Sequence, residues 1–85
     1  MERSEITRRV NSVLVEEFEV EEEKLVPEAT LYEELEFDSL DSVDLIAALE
    51  REFAMKIDRQ DAEKRVREIR TLGDVVDFVA ETLGT

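Results

Sequence analysis

Apolar residues in this chain recur at intervals of three and four, and this helical period limits what the chain can fold into more than any other feature. The first stripe consists of Ile6, Val10, Val13, Leu14 and Phe18. Residues with this spacing lie on one face of an α-helix. The pattern predicts a first helix over about residues 4–18, with Ser4 as its N-cap.

The helical period returns at Leu40 and continues to Phe53, which predicts a second helix over about residues 39–53 with Asp38 and Ser39 as capping residues. The intervening residues 19–38 contain a proline, a run of glutamates and isolated apolar residues without helical spacing. Loops of this length are uncommon in compact domains and tend to be functional. We expect this loop to pack over the core through its apolar residues.

Two further helices are predicted in the C-terminal part of the chain. A short third helix follows Asp58 over about residues 59–69, and a fourth begins after Thr71 and ends near Gly84. No segment shows a sustained strand period. The prediction is an all-α fold in one domain, residues 1–85: a small four-helix bundle with a long loop between helices 1 and 2 and a short third helix.

Composition restricts the function. The chain has 24 Asp and Glu against 11 Lys and Arg, a net charge of -13, which repels nucleic acid and anionic lipid and attracts basic partners. It has no Cys and no His, so the thiolate nucleophile, the imidazole base and the commonest metal ligands are absent. We therefore expect no enzyme and no metal site.

The N-terminal residues lack the apolar core of a signal sequence, and the longest uncharged apolar-rich run, Val10 to Val15, is too short to span a bilayer. These features predict a cytoplasmic protein without membrane insertion. The apolar content of 42% is typical of a globular fold.

The most specific pattern lies where the long loop meets the second helix, at Asp38-Ser39-Leu40. A serine hydroxyl at a helix start faces solvent near the positive end of the helix dipole, which favours an attached phosphate. For the tripeptide alone, a plain N-cap is the better explanation, since short motifs match often by chance. The surrounding residues must decide between the two.

Those residues resemble the acyl carrier protein family. After Asp38-Ser39-Leu40, the family pattern continues through Asp41, Val43, Asp44 and Leu45. The rest of the resemblance is carried by Ala48-Leu49-Glu50, Glu52-Phe53, Ile57, Asp61-Ala62-Glu63-Lys64 and the segment 71–79. It covers most of the chain, from Ile6 to Val79.

The resemblance implies that a phosphopantetheinyl transferase attaches 4'-phosphopantetheine to Ser39 from coenzyme A, with Asp38 and Leu40 as flanking residues of the cofactor site. The chain would then carry acyl intermediates as thioesters between enzymes of fatty acid, lipid or polyketide synthesis. A prosthetic thiol also accounts for the missing cysteine, because the cofactor brings the reactive group. The family register favours Ser39 over Ser42, which we predict to be a variable surface residue.

Asp38, Asp41 and Asp44 form an acidic stripe beside Ser39. This stripe resembles the surface by which carriers dock on basic patches of acyl-loading, synthase and acyltransferase enzymes. Such docking is expected to be fast and salt-sensitive. The predicted partner-binding residues are Asp38, Leu40, Asp41, Val43, Asp44, Ala47, Glu50, Arg51, Ile57, Arg65, Arg67 and Arg70. We expect the carrier itself to be a monomer.

Residues 54–70 depart from the family pattern, with six Lys or Arg against four Asp or Glu and a few extra residues between Lys64 and Thr71. We hypothesise that a partner recognises this basic region. Glu36 stands where the family usually has Gly, and Glu does not easily adopt positive φ, so the loop is expected to turn differently there.

Two other functions fit the same residues: an aminoacyl carrier of the peptidyl or D-alanyl type, and an unmodified acidic helical interaction module. For an acyl cargo, the apolar faces of helices 2, 3 and 4 could open to admit the chain, although core packing explains each residue singly. The candidates for a cargo cavity are Val43, Ile46, Ala47, Leu49, Phe53, Ile57, Val66, Ile69, Leu72 and Val76.

Overall fold

The computed structural model describes residues 1–84, and this part of the chain contains four α-helices and no β-strand. The helices are α1, Arg3–Phe18; α2, Ser39–Phe53; α3, Arg59–Glu68; and α4, Leu72–Leu83. A single 3-10 turn, Glu22–Lys24, interrupts the loop between α1 and α2. The predicted all-α bundle, with its long first loop and short third helix, is confirmed.

The first helix begins earlier than the apolar pattern predicted. Its N-cap is Glu2, whose side chain makes no capping hydrogen bond. The Glu2 carbonyl accepts from the N–H groups of Glu5 and Ile6 at 3.1 and 3.0 Å, so Ser4 already lies within the first turn. The prediction of Ser4 as N-cap is wrong, because a cap residue must precede the helical dihedral angles.

The predicted stripes form one core in which α1 packs against both α2 and α4. The long loop lies over that core, as expected: Leu31, Leu35 and Phe37 are buried. The Phe37 ring lies 5.1 Å from the ring of Phe18 at the end of α1. Burial of these apolar side chains stabilises the loop as much as the helices.

Backbone hydrogen bonds fasten the middle of the loop to the connection between α3 and α4. The N–H of Leu31 donates to the carbonyl of Arg70 at 2.9 Å, and the N–H of Leu72 donates to the carbonyl of Ala29 at 2.9 Å. The pair forms an isolated bridge between Thr30 and Thr71. The end of α3 is therefore held close to the loop that leads into α2.

Two arginine contacts connect α1 to the C-terminal half of α2. Arg9 Nε donates to Glu52 Oε2 at 2.8 Å, and its guanidinium lies 4.7 Å from the centre of the Phe53 ring. Arg51 pairs with Glu17 at 2.7 Å. The Arg51–Glu17 pair is largely exposed and contributes at most about 1 kcal/mol, whereas the Arg9–Glu52 pair is partly buried.

The start of α4 is stabilised by a capping box. The N–H of Asp74 donates to Thr71 Oγ1 at 3.2 Å, and the N–H groups of Arg70 and Thr71 donate to Asp74 Oδ2 at 3.0 and 3.1 Å. The hydrogen bond from Arg70, with a smaller contribution from Thr71, holds the pKa of Asp74 below its ordinary value of 3.8, although partial burial acts in the opposite direction.

Asp74→Ala is expected to lower the free energy of unfolding by about 1 kcal/mol at neutral pH. Because the folded pKa is depressed, the contribution of Asp74 is present above pH 3.8 and is lost as the pH falls below that value through the folded pKa. Urea denaturation followed by circular dichroism should therefore show wild type and variant converging in acid. Asp61→Ala is the matched control, since Asp61 holds the same position in α3, whose N-terminus has no side-chain capping bond.

Candidate functional site

The start of α2 is capped by the residues on either side of the Ser39-Leu40 pair. The N–H of Asp41 donates to Asp38 Oδ1 at 2.8 Å, and the N–H of Asp38 donates to Asp41 Oδ2 at 3.1 Å. This reciprocal capping box pairs the N–H groups of Asp38 and Asp41 without using the Ser39 side chain. Of the two predicted capping residues, Asp38 is the N-cap and Ser39 is the first residue of the helix.

Ser39 is exposed, and its hydroxyl makes no hydrogen bond to any described residue. It stands in the first turn of α2, where unpaired N–H groups and the aligned peptide dipoles create a positive potential. The N-cap explanation for Ser39 therefore fails in the structure. A hydroxyl in this position is accessible to another protein and suited to carrying an anionic substituent.

Ser42 has the opposite environment. It is only 6% exposed, and its Oγ lies 3.0 Å from the Tyr32 hydroxyl and 3.4 Å from the Asp38 carbonyl oxygen, to which it donates. The prediction that Ser42 is a variable surface residue is wrong, since three residues of helix turn its side chain towards the loop that covers the core. Burial also explains why Ser42 does not compete with Ser39 as a modification site.

Large apolar side chains stand exposed next to Ser39. Leu40 is 73% exposed and Val43 is 60% exposed, and Ala47 continues the same exposed face one turn further along α2. Asp38 and Asp44 are exposed beside them, whereas Asp41 is half-buried by its capping role. An apolar strip with acidic neighbours is the composition of a protein-docking surface.

Three of the other predicted partner-binding residues, Glu50, Arg51 and Arg65, form contacts with other residues of this chain. The Glu50 carboxylate accepts from the N–H of Ile57 at 2.9 Å, and Arg51 pairs with Glu17. Arg65 pairs with Glu81, and its guanidinium lies 5.1 Å from the centre of the Phe78 ring.

Arg65 therefore holds α3 against α4. The charge pattern had predicted instead that Arg65 is free to bind a partner. Arg67 and Arg70 are exposed and form no ion pair with any of residues 1–84.

A groove of ≈ 560 Å³ lies between α2 and α3 and begins beside Ser39. Its apolar walls are formed by Val43, Ile46, Ala47, Ile57, Ala62 and Val66. The other candidates for a cargo cavity, Leu49, Phe53, Ile69, Leu72 and Val76, are buried in the core. The structure thus divides the predicted cargo residues into a groove set and a core set.

Four residues that line this groove were not among the predicted site or cargo residues. Tyr32 comes from the long loop, Ala62 is a half-buried residue of α3, and Arg59 and Glu63 come from the exposed side of that helix. Tyr32 has no periodic neighbours that would place it, and the two charged residues resemble any solvated helix face. Only their spacing of four, which puts them on one side of α3, pointed to a shared surface.

The loop before Ser39 keeps a left-handed turn despite its side chain. Glu36 has φ 57°, so the expectation that the loop turns differently without glycine is not met. The burial of Leu35 and Phe37 on either side holds Glu36 in this conformation. A non-glycine residue in the left-handed region costs about 1–2 kcal/mol.

Glu36→Gly should raise the free energy of unfolding by about 0.5–1 kcal/mol, since relief of the strain exceeds the entropy that glycine adds to the unfolded chain. Urea denaturation measures the change. Glu36→Ala removes the same charge but keeps the side chain that disfavours positive φ, so it should give no comparable gain. Equal gains in both variants would attribute the effect to charge and not to the backbone.

Comparisons with known proteins agree with this geometry. Residues 8–79 match the family model described as the phosphopantetheine attachment site. The chain is 46% identical over 79 residues to an acyl carrier protein of Thermosynechococcus vestitus, covering 93% of each sequence. It is 42% identical over 82 residues to an acyl carrier protein of Thermotoga maritima, covering 96% of each.

The chain belongs to the acyl carrier protein family. The crystal structure of an acyl carrier protein from Thermotoga maritima superposes with a TM-score of 0.78 and 31% identity, covering 99% of this chain and 93% of that one. The protein is thus a carrier and not an enzyme, and it bears acyl groups on a covalently attached 4'-phosphopantetheine. The family model describes the attachment site of a prosthetic group that an unmodified module would lack, and both relatives are named as acyl carrier proteins.

The structure fits such a prosthetic group. It offers an exposed hydroxyl at a helix N-terminus and a groove next to it that is lined mainly by apolar side chains. The acidic residues among 1–84 form no cluster arranged to hold a metal ion. Among the helices of the described chain, none combines the length and apolar character needed to cross a membrane.

Proposed function

We propose that Ser39 is the residue to which 4'-phosphopantetheine is attached, and that residues 1–85 act as one carrier domain. One observation at the start of α2 carries this proposal. Asp38 and Asp41 cap the helix, which leaves the Ser39 hydroxyl exposed and without a hydrogen bond to any of residues 1–84. The only other nearby hydroxyl in the family motif, that of Ser42, is buried and hydrogen-bonded.

During attachment, Ser39 Oγ loses its proton and forms a phosphodiester bond, while the pyrophosphate bond of coenzyme A breaks and the adenosine bisphosphate portion leaves. The carrier supplies the nucleophilic oxygen and the positive potential of the α2 N-terminus, which favours the product phosphate. This chain has no histidine to act as the base, and one oxygen of each capping carboxylate, Asp38 and Asp41, is already engaged by a backbone N–H. The group then provides the thiol that carries acyl chains as thioesters.

Mass spectrometry tests the attachment site directly. The protein is incubated with a phosphopantetheinyl transferase, Mg²⁺ and coenzyme A, and its intact mass is compared before and after. One phosphopantetheine is expected per chain, and fragmentation should place it on Ser39. Placement on Ser42, or no gain in mass, would overturn the proposal.

For partner binding, we propose that the exposed face of α2 docks on basic enzymes of acyl transfer. Leu40, Val43 and Ala47 provide the apolar contact, and Asp38 and Asp44 provide the charges around it. Partly exposed charges at the edge of an interface act mainly on the association rate and are screened by salt. This arrangement suits a carrier that must bind and leave many enzymes.

Asp44→Lys should lower the association rate with the phosphopantetheinyl transferase about tenfold at low salt, since it reverses a charge within the docking face. Stopped-flow fluorescence at increasing salt measures the effect, and the difference from wild type should shrink as salt rises. Glu23→Lys makes the same charge change in the 3-10 turn, which does not line the groove or belong to α2. Equal losses in the two variants would assign the effect to net charge and not to this face.

A further inference from the structure

Two arginines of α3, Arg59 and Arg67, line the groove and form no ion pair with any of residues 1–84. The ion pairs among residues 1–84 engage Arg3, Arg8, Arg9, Arg51 and Arg65. Arg59 and Arg67 form none, although the chain has 24 acidic residues and Glu63 lies between them on the same side of the helix. In so acidic a protein, two unpaired guanidinium groups in one groove indicate that the groove receives an anion.

Arg67 stands at the Ser39 end of the groove. Three residues after it, beyond the end of α3, the Arg70 carbonyl accepts from the N–H of Leu31 at 2.9 Å. The next loop residue, Tyr32, contacts Ser42 in the first turn of α2 at 3.0 Å. Val66, adjacent to Arg67, lines a small internal cavity together with Leu31 and Ser42.

Arg59 lies towards the other end of the groove. It begins α3, two residues after Ile57, whose N–H donates to Glu50 in the last part of α2. Ser39 and Glu50 are eleven residues apart on one helix, which corresponds to roughly 16 Å along its axis. The two arginines therefore face different ends of the groove, and only Arg67 is placed near the attachment hydroxyl.

A phosphodiester on Ser39 would introduce negative charge beside Asp38 and Asp41. The α2 N-terminus offsets part of this repulsion, although the Asp41 N–H already donates to the Asp38 carboxylate. A guanidinium binds phosphate oxygens through paired N–H donors, with charge assistance. Arg67 is the unpaired cation that shares the groove with Ser39 at this end.

We propose that Arg67 binds the phosphodiester through which the prosthetic group is attached to Ser39. The inference rests on the proposed function, since it requires attachment at Ser39. It gives the basic segment 54–70 a role within the carrier: Arg65 holds α3 to α4, and Arg67 neutralises the phosphate.

Nuclear magnetic resonance of the unaltered protein tests the contact. The Nε–Hε signals of the arginines are recorded in the apo form and after attachment of phosphopantetheine. We expect the Arg67 signal to shift on attachment and to be protected from solvent exchange, while the Arg59 and Arg70 signals stay in place. An unmoved Arg67 signal in a protein whose mass shows full attachment would overturn this inference and leave the proposed function intact.

Variants provide a second readout. The ³¹P chemical shift and line width of the phosphodiester should change in Arg67→Gln, which frees the arm, and be partly restored in Arg67→Lys. Arg59→Gln is the matched control, because it removes an equally exposed arginine of the same groove. Identical ³¹P signals in Arg67→Gln and wild type would also overturn the proposal, whereas failure of wild type to gain the group would overturn the proposed function instead.

Discussion

Ser39→Ala is expected to abolish the attachment of phosphopantetheine, so that the variant gains no mass with a phosphopantetheinyl transferase and coenzyme A. The loss should be complete, because the bond to phosphorus is formed by the hydroxyl oxygen that the substitution removes. The fold should be retained: Asp38 and Asp41 cap α2, and alanine is favourable in the first turn of a helix. Circular dichroism and the urea midpoint verify that the variant is folded.

Ser42→Ala is the matched control for this experiment. It should gain the full mass, although loss of the hydrogen bonds to Tyr32 and the Asp38 carbonyl is expected to lower the free energy of unfolding by about 1 kcal/mol. Ser39→Ala is thus expected to change the attachment of phosphopantetheine and not the stability, and Ser42→Ala is expected to change the stability and not the attachment. A Ser39→Ala protein that still gains phosphopantetheine would remove the basis of both proposals made for this carrier.

Leu31→Ala should cause the largest loss of stability among these substitutions, about 2–5 kcal/mol. Leu31 is 1% exposed and lines the small internal cavity beside α2, so truncation leaves a void that neighbouring helices can fill only in part. A domain of this size has a total stability of roughly 5–10 kcal/mol. Urea denaturation should show a strongly lowered midpoint, with a population of unfolded chains detectable without denaturant in the severe case.

Val26→Ala in the same loop is the control for Leu31→Ala. Val26 is 43% exposed, so its truncation should change the free energy of unfolding by less than about 0.5 kcal/mol. Equal effects at the two positions would mean that the loop does not pack on the core. Tyr32 and Glu36 follow Leu31 closely and lie beside the start of α2. The difference in the free energy of unfolding between the two variants therefore also measures how firmly the loop is packed next to Ser39.

The acidic surface and the basic α3 have different tasks in this account. In the proposed docking, the exposed aspartates beside Leu40 and Val43 act on the association rate, because such charges accelerate encounter more than they increase affinity. The arginines of α3 act within the carrier: Arg65 on Phe78 and Glu81, and Arg67 on the phosphate of the arm. The same net charge of -13 is compatible with a local site for an anion because interactions in a groove depend on nearby groups.

The amino-acid sequence by itself predicted the four helices and the N-caps of α2 and α4, and it pointed to Ser39 as the attachment residue. The period of the apolar residues placed α2 at Ser39–Phe53, and the pattern around Thr71 placed the start of α4, because local hydrogen bonding and one-sided burial act over a few residues. The family pattern around Asp38-Ser39-Leu40 selected Ser39. All of these features are encoded within one or two turns of chain.

Only the tertiary structure decided which neighbours each helix face meets. Ser42 is buried because Tyr32, ten residues away, covers it, and Glu36 keeps positive φ because the buried residues beside it hold the turn. The apolar faces of α2 and α3 divide into core and groove, and Arg65 differs from Arg67 through its contact with α4. Such contacts join residues far apart in the chain, and a local period carries no information about which distant surface it will meet.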